Sequence, residues 1–377
     1  MITSRRGFLR SVGAGAAAGI AARPLTGFSS DAPFKQDNGL VRLDNNENAY
    51  GPSKKVANAI QSSIEGANRY PLMEDHSLAE RIAEVHSVKS EEILLGCGST
   101  DILRMAAFGF LGNGKQLIQA APTFEAIENY ARAASSEVIS VPLTRRFSHD
   151  LDGMQARISA STTLVYICNP NNPTASLTPR KDLESFIGKL PAHTIVVIDE
   201  AYHHYAGQSG MYASFIDHPL DNERVIVTRT FSKVYGLAGL RLGYAVASPN
   251  TIRTMQQFAS QDNINSIVAK AAFAALDDAD GVNDFVRRNM DDCQEFFNQA
   301  MARALKPIDS HANFVMMNTF HPADDVINHF RKNNILIGPS SPTMSTYIRV
   351  SLGLPDEMRR FWQAWDMLPY PKHTMQH

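Results

Sequence analysis

Thr228-Arg229-Thr230-Phe231-Ser232-Lys233-Val234-Tyr235-Gly236-Leu237-Ala238-Gly239-Leu240-Arg241-Leu242-Gly243-Tyr244 is the stretch on which the reading of this chain turns. It follows the apolar, β-rich run at 225–228. A lysine at a strand end, flanked by hydroxyls and followed at once by glycines, is poorly explained by packing. Thr230, Ser232 and Arg241 together suit a dianionic phosphate, because the guanidinium offers two directed donors and the hydroxyls complete the shell. Lys233 then stands beside that phosphate, placed to form a Schiff base with an aldehyde cofactor.

Three further stretches, working outward, serve the same chemistry. Residues 196–202 end a buried strand on Asp199, followed by Glu200, Ala201 and Tyr202. Pyridoxal 5′-phosphate needs such a carboxylate to keep its ring nitrogen protonated, so that the ring accepts electrons. Residues 168–174 form a rigid Asn/Pro turn in which the Asn172 amide is placed to donate to the cofactor's phenolic oxygen. Residues 95–101 make a Gly-rich turn that opens a helix at Ser99 and Thr100, where backbone N–H groups and hydroxyls bind phosphate. Singly, Asp199 reads as a turn acid, Asn172 as a turn former and Ser99 as a helix cap. In this order and together they describe one site.

The surrounding pattern supplies the frame. Apolar β-rich runs at 92–95, 116–119, 138–141, 164–168, 195–198, 225–228 and 242–247 alternate with helical stretches such as 100–110, 124–134 and 180–189. This predicts an α/β fold with a mostly parallel seven-stranded sheet, its strands apolar on both faces because helices cover them. From about 250 longer helical patterns (266–276, 283–305) lead into a strand–helix–strand region closed by a helix at 356–367. The expected division is an N-terminal arm at 31–52, a large domain at 53–250 and a smaller α+β domain at 251–377. The length of 377 residues fits two domains, and 36 basic against 38 acidic residues give no surplus to draw the protein to nucleic acid. Cys97, Cys168 and Cys293 lie far apart, which excludes a disulfide framework and a structural zinc site. His203 and His204 read as a solvated pair at a strand end rather than metal ligands, His76 and His86 as exposed, and Met316, Met317 and Met344 as core or pocket lining.

Residues 1–30 read as an address. Arg5 and Arg6 precede Phe8 and Leu9, a small, mildly apolar stretch follows at 11–22, and the first acidic residue is Asp31. This is a secretory signal of the twin-arginine type, too short and too weakly apolar for a stable membrane span. It predicts passage through the twin-arginine export machinery to a periplasmic or secreted location, a route for folded proteins that commonly carry a cofactor.

From about residue 40 onward the chain resembles the fold-type I pyridoxal-phosphate aminotransferases of class I/II, most closely the histidinol-phosphate aminotransferase branch. The marks are 46–52 with Asn45 before it, Arg69-Tyr70-Pro71, 96–101, 168–174, 199–202, 230–244 and 347–353. The resemblance implies that Lys233 carries the cofactor and moves the proton. It implies that Asp199 pairs with the ring nitrogen, that Asn172 and Tyr202 contact the ring oxygen, and that Phe124 stacks on the ring. Ser99, Thr100, Thr230, Ser232 and Arg241 hold the phosphate, Tyr70 reaches the phosphate of a neighbouring subunit in a homodimer, Arg349 clamps the substrate α-carboxylate, and Tyr50 lines the substrate mouth. The implied activity is transfer of an amino group between an amino acid or amine and a 2-oxo acid. An oxidase or lyase on the same scaffold, and a non-catalytic cofactor-binding protein, are the alternatives. One departure stands out: the branch usually has a further arginine shortly before the element at 347–353, and 335–345 contains none.

Overall fold

A computed structural model describes residues 39–71, 74–217 and 223–369. By its internal contacts the chain divides between Pro33 and Phe34, so every described residue belongs to the second unit. The export signal expected at 1–30 lies outside the described residues.

A short strand β1 (Val41–Leu43) comes first, followed by seven strands that form one sheet: β2 (Ile93–Gly96), β3 (Gln116–Ala121), β4 (Glu137–Pro142), β5 (Thr162–Cys168), β6 (Ile195–Asp199), β7 (Val225–Thr230) and β8 (Gly243–Val246). Their order is β2-β8-β7-β6-β5-β3-β4. β8 runs antiparallel to both neighbours and the other pairs are parallel. Alternation along the central strands feeds two cores. Val165, Ile167, Val196, Ile198 and Val227 face one helical layer, and Leu164, Tyr166, Cys168, Val197 and Ile226 face the other. Each such Val or Ile, fully buried, contributes about 1.5–3 kcal/mol relative to exposure. The exception is β4, whose Glu137, Ser140 and Pro142 are exposed. It lies at one edge of the sheet and, unlike β2 at the other edge, which is buried throughout, it is not apolar on both sides as its sequence suggested.

Register does the work of placing the site. Cys168, Asp199 and Thr228 are neighbours across β5, β6 and β7. The carboxyl ends of three parallel strands therefore release the Asn/Pro turn, Asp199 and the lysine loop side by side, where open α/β sheets bind ligands. β9 (Lys306–Pro307), β10 (Phe314–Asn318), β11 (Ile335–Ile337) and β12 (Tyr347–Ser351) follow the long helix Ala279–Ala302. β12, β10 and β9 form a small antiparallel sheet, while β1 pairs in parallel with β11. Val41 and Leu43 of β1 thus join the C-terminal core of Phe296, Val315, Phe330, Val350, Phe361 and Trp362. That pairing carries the segment after β1, residues 44–50, past the C-terminal sheet toward the lysine loop. Among the described residues no helix is long and apolar enough to cross a membrane.

Candidate active site

Lys233 follows β7, and its Nζ donates to the backbone carbonyls of Asn46, at 2.9 Å, and Asn45, at 3.3 Å. It lies 5.5 Å from the centre of the Tyr202 ring. Burial, helped by the nearby Arg349 charge, brings its amine down to about 8 from the ordinary 10.5. A neutral amine, the form that attacks an aldehyde, is therefore within reach near neutral pH.

Asp199 ends β6 and is 2% exposed. Its Oδ2 accepts from Tyr166 Oη at 2.9 Å and its Oδ1 from the Ala201 N–H at 3.1 Å. Burial raises its pKa to about 6, against the pull of those two donors and of Lys233. A buried carboxylate so placed favours a cationic partner, and a ring N–H⁺ supplies one.

The residues expected to hold a phosphate come from two chain segments. Arg241 Nη1 donates to Ser232 Oγ and Nη2 to Thr100 Oγ1, both at 3.3 Å, and Thr230 Oγ1 donates to Ser232 Oγ at 2.9 Å. Ser99 and Thr100 open the helix Ser99–Phe110, whose first-turn N–H groups have no partner within the helix. Gly98, at φ +82°, precedes them, and a Cβ there would press into the Arg241 guanidinium. Arg241 itself is left-handed at φ 61°. A non-glycine residue pays about 1–3 kcal/mol for that, a strain found where a side chain is aimed at a ligand.

Arg349 on β12 faces this centre from the C-terminal sheet. Its Nη1 donates to Asn172 Oδ1 at 2.7 Å and its Nη2 to the Asp44 carbonyl at 2.6 Å. Its Nε is buried with no partner, a donor that an incoming carboxylate would satisfy. Gly338, just past β11, donates its N–H to the Arg349 carbonyl, and a Cβ on it would lie 2.8 Å from Arg349 Nε. Tyr202 Oη accepts from Asn46 Nδ2 at 3.0 Å, which leaves its own proton for another acceptor. Burial keeps that hydroxyl protonated.

The structure thus brings together Lys233, Asp199, Asn172, Tyr202 and Arg349, with Thr100, Thr230, Ser232 and Arg241 as a second group. Phe124 is half-buried on the loop after β3, which is tied to the Asn/Pro turn by Thr123 Oγ1 to Asn171 Oδ1 at 2.8 Å. Tyr50 donates to Asp292 Oδ2 on the long helix at 2.9 Å. Tyr70 is 75% exposed and meets none of these groups within the chain.

Sequence reasoning missed several contributors. Asn46 lies inside a recognised motif, yet its carbonyl holds Lys233 while its amide holds Tyr202. Ser351 and Asn313 fix Asn46 in turn. Glu200 and Arg229 form a buried pair at 3.0 Å behind the site. Two readings are corrected. His203 and His204 open a short helix, His203–Ala206, rather than sit at a strand end, and burial beside Arg229 pushes both imidazoles far below their ordinary pKa, so they are no solvated pair. The side chain of His86 is 6% exposed, bonded to Tyr244 Oη at 2.8 Å, because its helix packs that face onto the sheet. No group of three His, Cys, Asp or Glu among the described residues is arranged to hold a metal.

The chain is similar to known proteins over most of its length. The family model for aminotransferase class I and II matches residues 38–364. The histidinol-phosphate aminotransferase of Caldicellulosiruptor saccharolyticus is 34% identical over 327 residues, 86% of this chain and 90% of that protein. Histidinol-phosphate aminotransferase 1 of Idiomarina loihiensis is 32% identical over 350 residues, 92% of this chain and 95% of that protein. Among solved structures, histidinol-phosphate aminotransferase from Sinorhizobium meliloti in complex with pyridoxal-5′-phosphate superposes with a TM-score of 0.82 at 26% identity, covering 87% of this chain and 90% of that one.

Proposed function

The chain belongs to the class I and II aminotransferases and uses pyridoxal 5′-phosphate, and on that premise we propose that its amino donor is a free α-amino acid and that it works outside the cytoplasm. When bound, the cofactor supplies an aldehyde to link amines and a protonated ring to draw electrons from a C–H bond. Lys233 Nζ would be the residue that links to it, and its amine would hold and move the proton at the substrate Cα. Asp199 sets its negative charge against the ring nitrogen. Arg241, Ser232, Thr230, Thr100 and Ser99 hold the phosphate, and Tyr202 and Asn172 address the ring oxygen. Arg349, braced by Asn172 and the Asp44 carbonyl, binds the α-carboxylate with the buried Nε among its donors.

The observation that carries the substrate choice is Gly338. It lies so close to Arg349 that a side chain there would collide with the clamp, and 335–345 offers no cation. The relatives named for histidinol phosphate supply the competing reading. That substrate carries a dianion at its far end, and an unpaired anion in a partly dry pocket is strongly disfavoured. Steady-state rates with α-amino acids, with 2-oxoglutarate and pyruvate as acceptors and oxygen uptake recorded, decide the matter. At least one α-amino acid should exceed histidinol phosphate in kcat/KM; the reverse order across the whole panel refutes the choice. Oxygen uptake matching substrate loss would assign an oxidase instead. The location rests on Arg5 and Arg6, and replacing both with lysine should leave the protein in the cytoplasm.

A further inference from the structure

Tyr166 lies in the middle of β5 and is fully buried, yet its one polar atom is spent on Asp199. β5 and β6 are in register with Tyr166 beside Val197 and Cys168 beside Asp199. Alternation places Tyr166, Cys168, Val197 and Asp199 toward the same side of the sheet. The Tyr166 ring spans that side and delivers its hydroxyl to Oδ2 at 2.9 Å, while the Ala201 N–H takes Oδ1 at 3.1 Å. Each carboxylate oxygen is therefore anchored once, with lone pairs left over.

We propose that Tyr166 is a positioning residue for the cofactor's ring nitrogen: by donating to Asp199 Oδ2 it fixes the plane of the carboxylate and keeps it ionised, so that the remaining lone pairs meet the ring N–H⁺. The proposal rests on the pyridoxal-phosphate reading of the site. The groups around Asp199 are consistent with the need for such a donor. Burial and the adjacent Glu200 favour its neutral form; Tyr166, the Ala201 N–H and Lys233 oppose them, and Cys168 is an uncharged buried thiol on the neighbouring strand. Tyr166 stays a donor throughout, because burial holds its pKa well above the ordinary 10.0. Phenylalanine would fill the same volume and pack as well, so packing alone does not call for the hydroxyl.

The test uses the full-length apoprotein, pyridoxal phosphate and its 1-deaza analogue, which lacks the ring nitrogen. Tyr166→Phe should weaken pyridoxal phosphate about tenfold or more, the loss expected of one hydrogen bond to a charged group. It should leave the affinity for the deaza analogue nearly unchanged. In the loaded enzyme the acid limb of the rate profile should move to higher pH, because the charged carboxylate has lost a donor. Equal loss for both ligands, with the limb unmoved, would make Tyr166 merely structural and overturn the proposal. Failure of the unsubstituted apoprotein to bind pyridoxal phosphate would instead overturn the underlying reading. Should Tyr166→Phe not fold, recovery of folded protein on adding Asp199→Asn supports the pairing, and failure of the double variant as well overturns it.

Discussion

The Lys233 amine should make the apoprotein less stable than it would be without it, in a way that pH reveals. In the folded chain its pKa stands at about 8, against 10.5 when free. At about 1.4 kcal/mol per pH unit that gap corresponds to about 3 kcal/mol, or about 2 kcal/mol once partial solvent access is allowed for. The folded pKa is lowered for a base, so between about 8 and 10.5 the unfolded chain binds more protons than the folded one. Stability from this group therefore rises with pH across that window. Below it both states carry the proton and the full penalty applies; above it neither does. Lys233→Met removes the titration while roughly keeping volume, and the lost bonds to the Asn45 and Asn46 carbonyls add a nearly constant offset. Melting curves of both apoproteins from pH 7 to 10.5 measure the difference, and other groups cancel in the comparison. The wild type should gain about 2 kcal/mol on the variant over that range, about 3 °C in a chain of this size. A flat difference, or one of opposite slope, would refute the argument that burial neutralises this lysine.

Three other experiments test neighbouring parts of the account. Gly338→Ala should displace the Arg349 guanidinium and raise KM for α-amino acids about tenfold, with cofactor affinity unchanged by absorbance titration. Arg229→Met should cost about 3–5 kcal/mol in urea unfolding, because it strands the Glu200 carboxylate, whose side chain is 1% exposed, without its partner. Mixed subunits carrying Lys233→Ala in one chain and Tyr70→Ala in the other should regain activity through one intact site per dimer; a fully active monomer in ultracentrifugation would dismiss that role for the exposed Tyr70.

The strands and the chemistry were legible because both leave local marks. β5, β6 and β7 are apolar runs, and they lead into residues that packing does not explain: the Asn/Pro turn, Asp199 and the loop that carries Lys233. What escaped was the part set by register and by distant chain segments. Tyr166 reads as one more core aromatic until the pairing of β5 with β6 brings its hydroxyl within 2.9 Å of Asp199. Asn46 is only one member of the 46–52 motif until the pairing of β1 with β11 carries its segment to Lys233. His86 looked exposed because its helix is polar by composition, and only Tyr244, 158 residues away, shows which face is covered.

The central claim is that Lys233 carries the cofactor. Borohydride reduction of the purified yellow protein, followed by peptide mass mapping, tests it directly. The account predicts one phosphopyridoxyl group per chain, on the peptide that contains Lys233, and none after Lys233→Ala. A label on another lysine, or a protein that takes up no cofactor, would contradict it.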